Sequence, residues 1–131
     1  GMFVTMIVGV YDKNKNELLL SNAGHEPPLI FSKDGNFKTI DEAGPPLGIA
    51  PNFKFTEQII SFKESSMYIF TDGITEMKNN NGEMLGQEGF QDYIKKYQST
   101  PNNKRLQKMI EDLISSGRIQ KDDLTIVTVD G

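Results

Sequence analysis

The chain has no cysteine, no tryptophan and a single histidine, His25. Without cysteine there is no disulfide framework, no thiolate nucleophile and no zinc–sulfur site. With one histidine, a multi-histidine metal centre within the chain is excluded. Any metal chemistry therefore rests on oxygen ligands, which favour hard ions such as Mg²⁺ or Mn²⁺. No apolar run approaches the roughly 20 residues that span a bilayer as a helix, and no basic-then-apolar leader opens the sequence. A cytoplasmic protein without membrane insertion is the expectation. Lys and Arg number 14 against 18 Asp and Glu, for a net charge of −4, and the basic residues are scattered. Nucleic acid needs a concentrated basic footprint, so it is not an expected partner.

What is present is a globular composition. The 131 residues are 37% hydrophobic and 24% charged, which suits one packed domain over 1–131. Gly1 ahead of Met2 reads as a cleavage scar from recombinant expression. The sequence is organised around Met67–Met77, MYIFTDGITEM. Met67–Phe70 reads as a buried strand that stops at Thr71-Asp72-Gly73, and Ile74 onward opens a helix. A carboxylate then stands at a strand end, beside a glycine that lets backbone approach closely. The alternative reading is that Thr71 or Asp72 only caps the turn.

Upstream, Phe3–Tyr11 is apolar at both parities, the pattern of a strand covered on both faces. A polar turn at 12–16 and a strand at Glu17–Ser21 complete a hairpin. Pro28–Ser32 and Phe37–Ile40 flank Asp34-Gly35 as a second hairpin. Gly44-Pro45-Pro46-Leu47-Gly48 reads as an irregular loop, and Phe53–Phe62 as a strand. Downstream, Phe90, Tyr93, Ile94 and Tyr97 give one helical face, and Leu106, Met109, Ile110, Leu113 and Ile114 another. Thr100-Pro101 is a candidate cap for the second helix, and Gly117 its stop. Leu124–Val129 is a final strand. The fold class expected is α+β: a mostly antiparallel, sandwich-type sheet with helices on one face.

If the last strand returns beside Met67–Phe70 in antiparallel fashion, Asp122 and Asp72 meet at one edge although fifty positions apart. Two adjacent carboxylates repel unless a cation sits between them, and a divalent ion can activate water and clamp phosphate oxygens. Against this, Asp122-Asp123 also suits a plain polar turn. His25, in Asn22-Ala23-Gly24-His25-Glu26-Pro27-Pro28, reads as part of a structural loop, because nothing in sequence supplies it with a partner base.

Five stretches occur together: Asn22-Ala23-Gly24-His25 with Pro27-Pro28-Leu29; Gly44-Pro45-Pro46-Leu47-Gly48; Phe70-Thr71-Asp72-Gly73-Ile74-Thr75-Glu76; Gly86-Gln87-Glu88; and Asp122-Asp123-Leu124-Thr125. In this order they resemble the PPM-type metal-dependent serine/threonine phosphatases, in the branch of the stage II sporulation protein E and the sigma-factor regulatory phosphatases. The resemblance implies a partial PPM fold with a Mn²⁺ or Mg²⁺ centre, Asp72 and Asp122 as metal ligands, and direct attack of metal-bound water on phosphoserine or phosphothreonine. It implies a phosphorylated regulatory protein, such as an anti-sigma-factor antagonist, as substrate. Members of the family also carry an upstream Gly-Asp-Val motif whose aspartate bridges the metals. No such motif occurs here, and Asp12, in a polar turn, is the only aspartate before position 34. The chain is therefore expected to correspond to the C-terminal half or two-thirds of the domain. Weak ion binding and little or no activity on its own follow from that expectation, as does an apolar sheet face open to self-association. The alternative is a phosphatase-like binding module that has lost its chemistry.

Overall fold

The computed structural model describes all residues, 1–131. Its elements in chain order are β1 (Met6–Asp12), β2 (Glu17–Ala23), β3 (Leu29–Ser32), β4 (Phe37–Thr39), β5 (Gln58–Ser61), β6 (Ser65–Phe70), α1 (Asp72–Thr75), α2 (Gly86–Lys96), α3 (Asn102–Ser115) and β7 (Ile126–Asp130). The architecture is α+β, with a three-stranded sheet ordered β1-β2-β5 and a four-stranded sheet ordered β4-β3-β6-β7. Residues cluster into two compact units, Gly1–Met67 with Val129–Gly131, and Tyr68–Thr128.

In the first unit the expected hairpins form. β1 pairs antiparallel with β2 from Met6↔Ala23 to Asp12↔Glu17. The Asp12 carboxylate accepts hydrogen bonds from the backbone N–H groups of Asn14 and Lys15 at 2.9 and 3.2 Å, the local bonding that makes aspartate a turn former. β3 pairs antiparallel with β4 around Gly35, whose φ of 89° is the left-handed conformation glycine tolerates. The core of this unit includes Leu18, Leu20, Leu29, Phe31, Ile60 and Phe62.

Two strand expectations change here. The pattern of a strand covered on both faces does not hold for Phe3–Tyr11: Val8 and Val10 are 56% and 62% exposed, in line with the open apolar sheet face expected of a partial domain. β1 is an edge strand, and the two-residue pleat turns Gly9 toward the Leu18 and Leu20 side chains and Tyr11 edge-on to Phe62, leaving the valines outward. The register aligns Val10 with Leu19 and Leu19 with Ile59, so Ile59, 70% exposed, extends the same apolar face. Phe53–Phe62 also shortens to β5. Phe53 and Phe55 instead stack on each other at 4.9 Å over Gly44, where an added Cβ would lie 2.7 Å from both rings. These aromatics are spent on covering the diproline loop.

In the second unit, Tyr68, Phe70, Ile74, Met77, Phe90, Ile94, Met109 and Leu113 are buried. The Phe90 ring lies 4.8 Å from Phe70 and 6.4 Å from Tyr68, which seats α2 on the end of β6. α3 buries Met109 and Leu113, positions of the predicted face, and Gly117 follows with φ 80°. The Thr100 cap does not form. Pro101 occupies the N-cap position with no side-chain cap, its carbonyl accepting from the N–H groups of Lys104 and Arg105, while the Thr100 carbonyl accepts from Arg105 Nε at 3.2 Å. α2 and α3 are tied by Asp112, which accepts from Lys96 Nζ at 2.6 Å and Tyr97 Oη at 2.7 Å.

Candidate functional site

The central stretch terminates β6 and turns directly into the single helical turn α1. Thr71 is the N-cap of that turn, yet its side chain makes no cap hydrogen bond. Its hydroxyl donates to the Asp123 carbonyl at 3.3 Å and accepts from the Thr125 N–H at 3.2 Å. The Thr71 N–H donates to the Thr125 carbonyl at 3.1 Å. The capping reading of Thr71 is thereby replaced: this threonine laces the strand end to the segment entering β7.

The antiparallel sense expected for these segments holds. Near one end Ser66 Oγ donates to Asp130 Oδ1 at 2.6 Å and the Gly131 N–H to the Ser65 carbonyl at 2.8 Å. At the other, Thr71 meets Thr125. Gly73 completes the junction, because a Cβ there would collide with the Asp123 carbonyl oxygen and lie 3.2 Å from its carbon. Only a residue without a side chain permits that approach.

Asp72 and Asp122 are both exposed. Asp122 lines a pocket of about 190 Å³ with Gly73, Glu76, Lys78, Met84 and Lys121. Its Oδ1 also accepts from the Asp123 N–H at 2.8 Å, the turn bonding expected of an Asp-Asp pair. Asp72 starts α1, and its carbonyl accepts from the Glu76 N–H at 2.9 Å. The structure thus brings the Thr71-Asp72-Gly73 and Asp122-Asp123-Leu124-Thr125 stretches together through their backbones. Glu76, Lys78 and Lys121 were not singled out from sequence. For Glu76 a signal existed, since it stands four residues after Asp72, the spacing of neighbours on a helical turn.

His25 and the diproline loop form a separate, structural arrangement in the first unit. The Asn22 side chain, 3% exposed, donates to the His25 carbonyl at 3.0 Å and accepts from the His25 N–H at 2.9 Å. The Asn22 carbonyl accepts from the Gly44 N–H at 2.9 Å, and Gly24, at φ 70°, packs on Pro46. The imidazole reaches only the neighbouring Glu26 carbonyl.

As a test of a metal centre, the donors are chemically suited, since exposed aspartate and glutamate oxygens are what hard ions take. Their number is small: no group of three or more His, Asp or Glu side chains is placed to hold one ion. A single Mg²⁺ or Mn²⁺ ion needs only one or two carboxylates, with water as the rest of its shell; the carboxylates of this chain do not by themselves make a closed metal centre.

With this geometry in view, the sequence matches the family model described as Stage II sporulation protein E (SpoIIE) over residues 1–130. The chain belongs to the SpoIIE family. It is 31% identical to Protein IcfG of Synechocystis over 98% of this chain and 20% of that protein. It is 27% identical to Phosphoserine phosphatase RsbU of Bacillus subtilis over 98% of this chain and 39% of that one. The SpoIIE-family chain thus spans from a fifth to two-fifths of these curated relatives. Among solved structures, the RsbU and RsbW domains of Rv1364c from Mycobacterium tuberculosis superpose with a TM-score of 0.77 at 24% identity, over 95% of this chain and 35% of that one. The manganese-presoaked phosphatase domain of SpoIIE from Bacillus subtilis gives 0.69 at 19% identity, over 96% and 55%. These two establish the fold as that of PPM-type phosphatase domains.

Proposed function

We propose that this chain is part of a metal-dependent protein phosphatase that hydrolyses phosphoserine or phosphothreonine on a regulatory phosphoprotein. The observation that carries the reading is the Thr71–Gly73 turn held against Asp123–Thr125 by three hydrogen bonds, in a SpoIIE-family chain that is similar to a phosphoserine phosphatase. Asp72 and Asp122 are the proposed ligands of a Mg²⁺ or Mn²⁺ ion. Such an ion supplies Lewis acidity and activated water when bound. The residues of the chain fix the carboxylates: Thr71 anchors the strand end, and Gly73 keeps the two backbones in contact.

In support of a cytoplasmic place, no helix is long and apolar enough to cross a membrane. The outward face formed by Val8, Val10 and Ile59 supports association with a second copy, since contiguous apolar surface marks interaction sites.

The test is hydrolysis of phosphoserine from a phosphorylated anti-sigma-factor antagonist by the full-length protein with added Mn²⁺. The reading expects turnover that falls at least about 100-fold in Asp72→Asn or Asp122→Asn, the size of effect seen when charge stabilisation is removed from an active site. The small ligand set favours one rival, a phosphatase-like binding module. Tight capture of the phosphoprotein without any turnover would establish that rival instead.

A further inference from the structure

A phosphoprotein carries about −1.5 to −2 charges at each phosphorylated residue. It would have to approach an edge bearing Asp72, Glu76, Asp122 and Asp123, on a chain of net charge −4. Like charges repel there; a divalent ion on Asp72 and Asp122 offsets only part of the four carboxylates' charge, and fixed cations beside the edge would offset more. The pocket next to Asp122 contains two, Lys78 and Lys121, together with an apolar wall from Met84.

Lys78 is held in place by its backbone. It bridges Met84 on one side and Ile119 on the other in antiparallel fashion, and its carbonyl accepts from the Ile119 N–H at 2.8 Å. Lys121 is the residue before Asp122, in the exposed segment leading to Thr125. Neither pocket lysine takes part in the Lys33–Glu64 or Lys96–Asp112 ion pair, and neither is engaged by a carboxylate. Each ammonium group offers three donors.

We propose that Lys78 and Lys121 form an oxyanion-binding subsite for the phosphoprotein, beside the carboxylate edge. The inference rests on the phosphatase reading for its ligand class, and adds to it which cations meet the substrate. The bound oxyanion is either the phosphoryl group or an acidic side chain next to the phosphorylated residue. A charge-assisted hydrogen bond is among the strong kind, so loss of both lysines should weaken binding by about tenfold or more.

The experiment is fluorescence anisotropy with the full-length protein and labelled peptides: a phosphoserine peptide with acidic flanks, its alanine-flanked twin, and the unphosphorylated form of each. The expected result is about a tenfold higher Kd for Lys78→Gln, Lys121→Gln on phosphopeptide, with affinity restored by Lys78→Arg, Lys121→Arg. Equal loss on both phosphopeptides assigns the subsite to the phosphoryl group, and loss confined to the acidic-flanked peptides assigns it to the neighbouring carboxylate. Unchanged affinity in a variant with unaltered thermal unfolding overturns the proposal, as does equal weakening on the unphosphorylated, alanine-flanked peptide. Turnover of the same peptides with Mn²⁺ is read separately. Binding that depends on the lysines without turnover would count against the phosphatase reading and leave the subsite standing.

Discussion

Gly73→Ala places opposing effects on one atom. Gly73 lies inside α1, and alanine in a helix interior is favoured over glycine by about 1 kcal/mol. On helix propensity alone the variant would be more stable. The added Cβ, however, runs into the Asp123 carbonyl oxygen, and backbone cannot swing aside as a flexible side chain would. Relief requires the strand end and the segment entering β7 to separate. That separation strains or breaks the three hydrogen bonds joining Thr71 to Asp123 and Thr125. At about 0.5–1.5 kcal/mol each, their loss amounts to roughly 1.5–4.5 kcal/mol, which outweighs the propensity gain. The net expectation is destabilisation of about 0.5–3.5 kcal/mol. Urea unfolding followed by circular dichroism measures it, as a lower midpoint with unchanged slope. A midpoint equal to or above that of the parent protein would refute the reasoning, because the close approach would then cost nothing.

Other substitutions separate structural from chemical roles. Asn22→Ala leaves the His25 N–H and carbonyl without their partner and should destabilise by about 2–3 kcal/mol, whereas His25→Ala should change the urea midpoint little. Asp112 has its pKa lowered, first by the hydrogen bond from Lys96 and then by that from Tyr97. A depressed folded-state pKa stabilises above the ordinary carboxylate value and is lost as pH falls through the folded value. The acid arm of a stability–pH profile, below about pH 4, should therefore flatten in Asp112→Asn, by a small amount because the Lys96 side chain is 61% exposed. Val8→Lys, Val10→Lys should abolish any concentration-dependent dimer seen by analytical ultracentrifugation without lowering thermal stability.

Sequence patterns located the hairpins and both long helices because each has a local cause: the Asp12 turn, the left-handed glycine at 35, and the apolar stripes through Phe90 and Ile94 and through Met109 and Leu113. It misjudged Phe3–Tyr11 because apolar residues at both parities look alike whether the second face is covered or open; only strand position reveals an edge. It extended Phe53–Phe62 into a strand because Phe53 and Phe55 have β propensity, while their packing on Gly44 is a long-range contact. Thr71 and Gly73 were legible as a turn, but their role depends on a segment fifty residues away. The meeting of Asp72's turn with Asp122's was accessible through strand order. Lys78 and Lys121 were not, since an isolated lysine carries no pattern of its own.

The proposed function requires that Asp72 and Asp122 share one cation site. Calorimetric titration of Mn²⁺ into the protein and into its Asp72→Asn and Asp122→Asn variants tests it most directly. Weak, saturable binding that either substitution removes is the expected result. Absence of saturable binding up to roughly millimolar Mn²⁺, or binding that survives both substitutions, would contradict it.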